Sequence, residues 1–236
     1  VKTQKFKNPR YIGDPINAVR IFNNKEVDEL VLLDITATAE KRDPKFENIS
    51  EIVSEAFMPI GYGGGVNNIG QIERLFKIGI EKVILNTSAF LDENLITEAA
   101  KIYGNQSIVV SIDVKKGLFG TYHIYTNGGK IKQKGDLMQN LIKFQDLGAG
   151  EIIINSIDRE GTMNGYDLKL IGEVCKKLKV PVVASGGAGK IEHFVEAINL
   201  GASAVAAGSM FVYQGIHKAV LISYVTSEQV EAKLKI

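Results

Sequence analysis

A long internal repeat limits the folds open to this chain. Glu29-Leu30-Val31-Leu32 returns as Glu151-Ile152-Ile153-Ile154, an offset of 122 residues. The same offset carries Pro59 onto Pro181, Gly64 onto Gly186, Gly65 onto Gly187, Ile69 onto Ile191 and Gly79 onto Gly201 without a gap. Self-similarity at a fixed spacing means a repeated structural unit. Two such units together reach roughly 250 residues, the usual extent of a (β/α)8 barrel. A doubly wound open sheet has no need of the duplication. The expectation is an α/β protein, one TIM-barrel domain over 1–236. Its half-barrels would fall at roughly 1–115 and 116–236.

The hydrophobic rhythm agrees. Short Val/Ile/Leu-rich runs alternate with segments whose apolar residues recur at three and four positions, the signature of βα units. Strands are predicted over 30–35, 58–62, 82–86, 108–114, 151–156, 181–184 and 204–207. They are continuously apolar, as parallel strands covered on both faces should be. Helices are predicted over 15–24, 48–56, 69–78, 93–103, 137–147, 168–178, 191–200 and 217–224. Residues 121–126 alternate in period two before Asn127-Gly128-Gly129 and read as a hairpin after the fourth visible strand. The polar stretch 1–13 resembles a loop between a strand and its helix, so the first strand of the barrel is expected to be missing from the chain as given.

Composition removes several functions. With 28 basic and 27 acidic residues the net charge is +1, so no general attraction to nucleic acid or to an anionic membrane is implied. Phosphate binding, if present, must be local. The single cysteine, Cys175, excludes an intramolecular disulfide and a Cys-rich zinc site, and its helical setting suits core filling better than nucleophilic chemistry. His123, His193 and His217 share no ligand spacing, so neither a metal site nor another cofactor is expected. No apolar run reaches the ~18 residues of a membrane span, and no signal-peptide core opens the chain, which points to the cytoplasm.

The repeat also places chemistry. Gly64-Gly65 and Gly186-Gly187 end strands half a barrel apart, where backbone N–H groups can approach an anion. Each pair has a polar neighbour one βα unit on: Asn86-Thr87-Ser88 beside the first and Gly208-Ser209 beside the second. Either glycine pair alone could serve only a tight turn. Paired across the barrel with amides and hydroxyls beside them, they suggest a substrate with a phosphate at each end. Asp113, ending its strand, would face such a site and could move a proton.

These residues, with Leu33-Asp34-Ile35-Thr36, Gly63-Gly64-Gly65, Ile112-Asp113, the run Ser156-Ile157-Asp158-Arg159-Glu160-Gly161-Thr162, Gly165-Tyr166-Asp167 and Ala184-Ser185-Gly186-Gly187, resemble the HisF family, the cyclase subunit of imidazole glycerol phosphate synthase. The likeness implies a (β/α)8 barrel that takes ammonia from a HisH-like glutaminase partner. It implies formation of imidazole glycerol phosphate and aminoimidazole carboxamide ribotide from a bisphosphate ribonucleotide in histidine biosynthesis, a lyase-type cyclisation. Asp113 matches one of the family's two acid–base aspartates; the other would precede Val1. Lys2 matches a loop lysine near substrate. Asp34 and Asp167 match site or near-site positions, and Ser185 belongs to the second phosphate turn. Asn155 and Glu160, expected among the substrate-binding residues, depart from the family's usual threonine and aspartate, which alters the donor set at one position and moves the polar group by about one methylene at the other. Glu29, Lys82 and Glu151 begin strands and match a charged ring described in the family as an ammonia gate; an ordinary salt-bridged ring would look identical. Asp158 and Arg159 could simply pair to hold their loop.

Other readings stay open. The N-terminal run and the segment from Met210 to Val220 look like a HisF-related branch linked to acetamidino-sugar formation in surface polysaccharide, where ammonia would be relayed to another enzyme. A sugar-phosphate isomerase barrel shares the twin phosphate sites but acts without ammonia. A non-enzymatic scaffold would bind no bisphosphate.

Overall fold

The computed structural model describes residues 1–234. Seven parallel strands lie in chain order: β1 Leu30–Leu33, β2 Ile60–Gly63, β3 Lys82–Leu85, β4 Ile108–Lys116, β5 Glu151–Ser156, β6 Val182–Ser185 and β7 Ala204–Val205. Among the described residues ten α-helices accompany them: α1 Pro15–Asn23, α2 Phe46–Ser54, α3 Ile69–Ile78, α4 Thr87–Leu91, α5 Asn94–Tyr103, α6 Leu137–Asp146, α7 Leu168–Cys175, α8 Ile191–Asn199, α9 Ser209–Val212 and α10 Ser227–Leu234. Each strand is hydrogen-bonded to the next, so the crossovers run in one direction around a curled sheet of the TIM-barrel type.

Local chemistry sets the helix ends. Asp14, Asn68, Asp136 and Asp167 each accept a backbone N–H of the first turn, satisfying donors the helix leaves free. Gly79 closes α3 at φ 106°, a conformation in which a Cβ would be strained. The offset of 122 is a structural equivalence as well: α2, α3, β2, β3 and α4 start at 46, 69, 60, 82 and 87, and α7, α8, β6, β7 and α9 start at 168, 191, 182, 204 and 209.

Alternation along the strands divides the apolar residues between two cores. Tyr62, Leu85, Val110, Ile152 and Val182 face the helices and belong to the larger cluster. Ile84, Val109, Ile153 and Val183 face the concave side and form a cluster of their own. A curled sheet produces this pair of environments, and each fully buried Val or Ile contributes roughly 1.5–3 kcal/mol. Among the described residues β1 and β7 pair on one side only. Their concave face opens accordingly: Val31 and Leu33 are 37% and 54% exposed, whereas Val109 at the centre is fully buried.

Two sequence expectations are corrected. Residues 217–224 are not helical; Tyr213–Gln214 and Ala219–Val220 form a small antiparallel pair, because Gly215 and Lys218 turn the chain at φ 68° and 49°. The last helix is α10, which buries no residue and so carries no apolar stripe for periodicity to find. Residues 1–13 are more ordered than a loop: Lys2–Gln4 and Lys7–Arg10 pair as an antiparallel ribbon. The hairpin at 121–126 is present, with Tyr122–Thr126 pairing β4 on one side and Ile131–Lys132 on the other. Cys175 ends α7 half-buried against the larger core, and burial pushes its thiol up, away from thiolate chemistry.

Candidate active site

Because all seven strands run the same way, every strand-to-helix loop opens on one rim. Gly64-Gly65 follow β2, Asn86-Thr87 follow β3, Gly186-Gly187 follow β6 and Gly208-Ser209 follow β7. Asp113, Asn155 and Ser185 stand in register on β4, β5 and β6, the last two directly above Ile153 and Val183 of the concave apolar cluster. Glu29, Lys82 and Glu151 mark the opposite end.

Asp113 is 8% exposed and receives two amide donors. Asn155 Nδ2 donates to its Oδ1 at 2.8 Å and Asn86 Nδ2 to its Oδ2 at 3.1 Å. Burial disfavours the charged carboxylate, the two amides favour it, and the Glu160 charge opposes it again; the outcome is a carboxyl pushed up to about 7. A group with that affinity exchanges a proton readily near neutrality.

Lys2 reaches the same rim from the N-terminal ribbon. Its Nζ lies 3.2 Å from Glu160 Oε1, and a Cβ added at Gly208 would sit 2.1 Å from that nitrogen. The ribbon is held by Lys5 N–H donating to Glu160 O at 2.9 Å and by close packing on Gly161, where a Cβ would fall 2.2 Å from Thr3 O. Gly161 thus seats the ribbon, and the ribbon delivers a cation beside the Gly208-Ser209 turn.

The strand-end glycines are required by the backbone itself. Gly64 at φ 118° and Gly187 at φ 116° would each put a Cβ 2.3 Å from a carbonyl, of Asp34 and of Gly165 respectively. Gly65 and Gly186 are similarly crowded. The turn requirement and an anion cradle are therefore compatible at one position. Thr87 opens α4 and its Oγ1 accepts Asn127 N–H at 3.0 Å; Ser209 opens α9 and is buried. The Asn86 side-chain nitrogen donates to Ser111 O at 2.8 Å and to Asp113.

Two other expected site carboxylates are already engaged. Asp34 opposes its own burial by pairing with Arg42, Nη1 at 2.7 Å and Nη2 at 2.8 Å, and by accepting from Thr36 and Ala37 N–H; together these hold it below its usual range. Asp167 caps α7 and accepts Tyr122 Oη–H at 2.9 Å. Asp158 and Arg159 do not pair with each other: Asp158 accepts Lys116 N–H and Arg159 donates to Asn164 O. Arg42 and Tyr122 were not foreseen. Arg42 lies in the loop that follows Asp34, which was a usable signal; Tyr122 meets Asp167 only through the hairpin's fold.

At the floor, Lys82 Nζ lies 2.8 Å from Glu29 Oε2 and 3.0 Å from Glu151 Oε2. Burial lowers the lysine's proton affinity, but the two carboxylates outweigh it and hold the ammonium charged. Among the described residues, no group of three or more His, Cys, Asp or Glu is arranged for a metal ion, and no helix is long and apolar enough to cross a membrane.

The profile of the family described as histidine biosynthesis protein matches residues 1–218. A Pseudomonas aeruginosa protein provisionally named imidazole glycerol phosphate synthase subunit hisF2 is 47% identical over 225 residues, 95% of this chain and 90% of that protein. A Leptospira interrogans protein, provisionally named subunit HisF of the same synthase, is 47% identical over 98% of this chain and 92% of its own. The Petrotoga mobilis imidazole glycerol phosphate synthase subunit HisF is 40% identical over 93% of this chain and 87% of its own length.

Proposed function

The chain belongs to the histidine biosynthesis protein family, and from that premise we propose that it is a HisF-type subunit of an imidazole glycerol phosphate synthase. In this reading it takes ammonia released by a glutaminase partner and closes an imidazole ring on a bisphosphate ribonucleotide. The products are imidazole glycerol phosphate and aminoimidazole carboxamide ribotide. The observation that supports the reading is that Asp113, with two amides on its carboxyl, stands on β4, two strands from the Gly64-Gly65 turn after β2 and two from the Gly186-Gly187 turn after β6, on one rim. Gly64-Gly65 with Thr87 would hold one phosphate, and Gly186-Gly187 with Gly208-Ser209 and Lys2 the other. Asp113 would pass protons between the incoming nitrogen and the substrate. Ammonia would enter through the Glu29/Lys82/Glu151 floor and cross the apolar layer of Ile84, Val109, Ile153 and Val183, which excludes water from the path. The test is ammonia-dependent turnover of the bisphosphate ribonucleotide by the purified protein, followed by appearance of the imidazole product.

A second reading has one observation in its favour. Among the described rim carboxylates, Asp34 and Glu160 pair with cations, Asp167 caps a helix and Asp158 accepts Lys116 N–H, while Asp113 is held by two neutral amides and has no cationic partner. A relay subunit that hands ammonia to a second enzyme, as in acetamidino-sugar formation, needs the floor and the apolar layer but no cyclisation. Ammonia transfer without any imidazole product would favour it.

A further inference from the structure

Asn155 gives its donor to Asp113 alone, at 2.8 Å, and its side-chain oxygen is buried with no hydrogen-bond partner. The other donor, Asn86, is shared with the Ser111 carbonyl. An unpaired carbonyl inside a barrel is costly, and a strand position of this kind is ordinarily filled by a β-branched apolar residue. The cost makes sense if the oxygen has a use that ionised Asp113 conceals. A carboxylate only accepts and must face the amide nitrogen; a carboxylic acid carries an O–H and is best met by the amide oxygen. The terminal torsion of Asn is broad and roughly two-fold, so a half-turn exchanges the two ends in place.

We propose that Asn155 is a positioning residue that keeps the Asp113 carboxyl in one place through its proton cycle, presenting nitrogen to the carboxylate and, after a half-turn of the amide, oxygen to the acid. The surroundings leave this task to the amide. Asn86, just after β3, and Asn155 on β5 are uncharged. The charge that acts on Asp113 is Glu160, from the loop after β5, and Lys2 of the ribbon pairs with it. Lys115, next along β4, lies over the Tyr125 ring of the hairpin at 4.8 Å.

The kinetic part of the test rests on the proton-transfer reading above; the titration does not. Carboxyl carbon NMR on the ligand-free protein, with Asp113→Asn identifying the signal, follows Asp113 in wild type, Asn155→Val and Asn155→Thr. Val and Thr share a shape and differ by a hydroxyl. The expected result is an upward move of the Asp113 midpoint by about one pH unit in Asn155→Val, a tenfold gain in proton affinity, with Asn155→Thr recovering at least half of it. In wild type the Asn155 side-chain NH2 signals should change at the Asp113 midpoint, a measurement that needs no variant and decides the matter if Val fails to fold. An unchanged midpoint in a folded Asn155→Val, or Asn155 NH2 signals that ignore the titration, would overturn the proposal. In turnover, kcat of Asn155→Val should fall about tenfold near neutral pH with KM kept, and Thr should restore part of it. Absence of turnover in wild type together with the expected titration would retire the cyclase reading and leave the positioning role standing.

Discussion

Replacing Asp113 by Asn keeps its shape and removes its charge, and the structure states what that should do to stability. A carboxyl displaced from 3.8 up to about 7 costs the folded state energy wherever the unfolded chain would be ionised. The sign follows from the direction of the displacement. The folded-state affinity for the proton is raised, so the penalty is absent below about pH 4, grows between there and 7, and is fully present above 7. Its size at pH 8 is ~4 kcal/mol at most. Against this, a neutral amide offers one oxygen where the carboxylate accepted from both Asn155 and Asn86, a loss of ~1–2 kcal/mol. The net expectation for Asp113→Asn at pH 8 is a stabilisation of ~2 kcal/mol, which for a chain of this size raises Tm by roughly 4–8 °C. The same exchange should abolish ammonia-dependent cyclisation. Urea unfolding of both proteins at pH 8 and pH 4 provides the assay. A variant no more stable than wild type at pH 8, or one whose advantage is undiminished at pH 4, refutes the electrostatic reasoning.

Three further outcomes follow from the same geometry. If Asp113 must be ionised to accept a proton, kcat/KM for the ammonia reaction rises with pH through an inflection near 7; a profile flat from 6 to 8 removes Asp113 from the chemistry. Gly208→Ala and Gly64→Ala should separate binding from folding: the first meets only the flexible end of Lys2 at 2.1 Å and should weaken phosphate binding with stability kept within ~1 kcal/mol, whereas the second meets the Asp34 carbonyl at 2.3 Å with φ 118° and should cost more than ~2 kcal/mol in thermal unfolding. Lys82→Met leaves Glu29 and Glu151 facing each other without their cation, so urea unfolding should register a loss of ~1–3 kcal/mol, largely recovered by adding Glu29→Gln and Glu151→Gln; glutamine-driven turnover should fall more than turnover on free ammonia.

The repeat made the fold legible because an offset of 122 constrains turns, strand starts and helix starts together, and the observed elements start at residues related by it. The position of Asp113 was legible in part: the carboxylate follows an apolar run toward the rim, although β4 continues past it to Lys116 to pair with the hairpin. What remained hidden depends on register and on distant segments. That the Asn86 amide meets Ser111 O and Asp113 is visible only once β3 and β4 are aligned. Asp34 reads as a free site acid until Arg42 folds back on it. The ribbon at 1–13 was hidden because its pairing uses polar residues with no hydrophobic period, and Lys5 and Phe6 turn it at φ 52° and 60° without glycine. Alternation in burial across β1 was also unforeseen; it reflects an edge strand in which Val31 and Leu33 face an open concave side.

The most direct test is a crystal structure of the protein soaked with the bisphosphate ribonucleotide. Density for a single molecule should span the rim, with one phosphate on the turn at Gly64-Gly65, the other on the turns at Gly186-Gly187 and Gly208, and Asp113 facing its middle. A ligand bound away from this rim, or held through one phosphate with the second turn unused, would contradict the proposal.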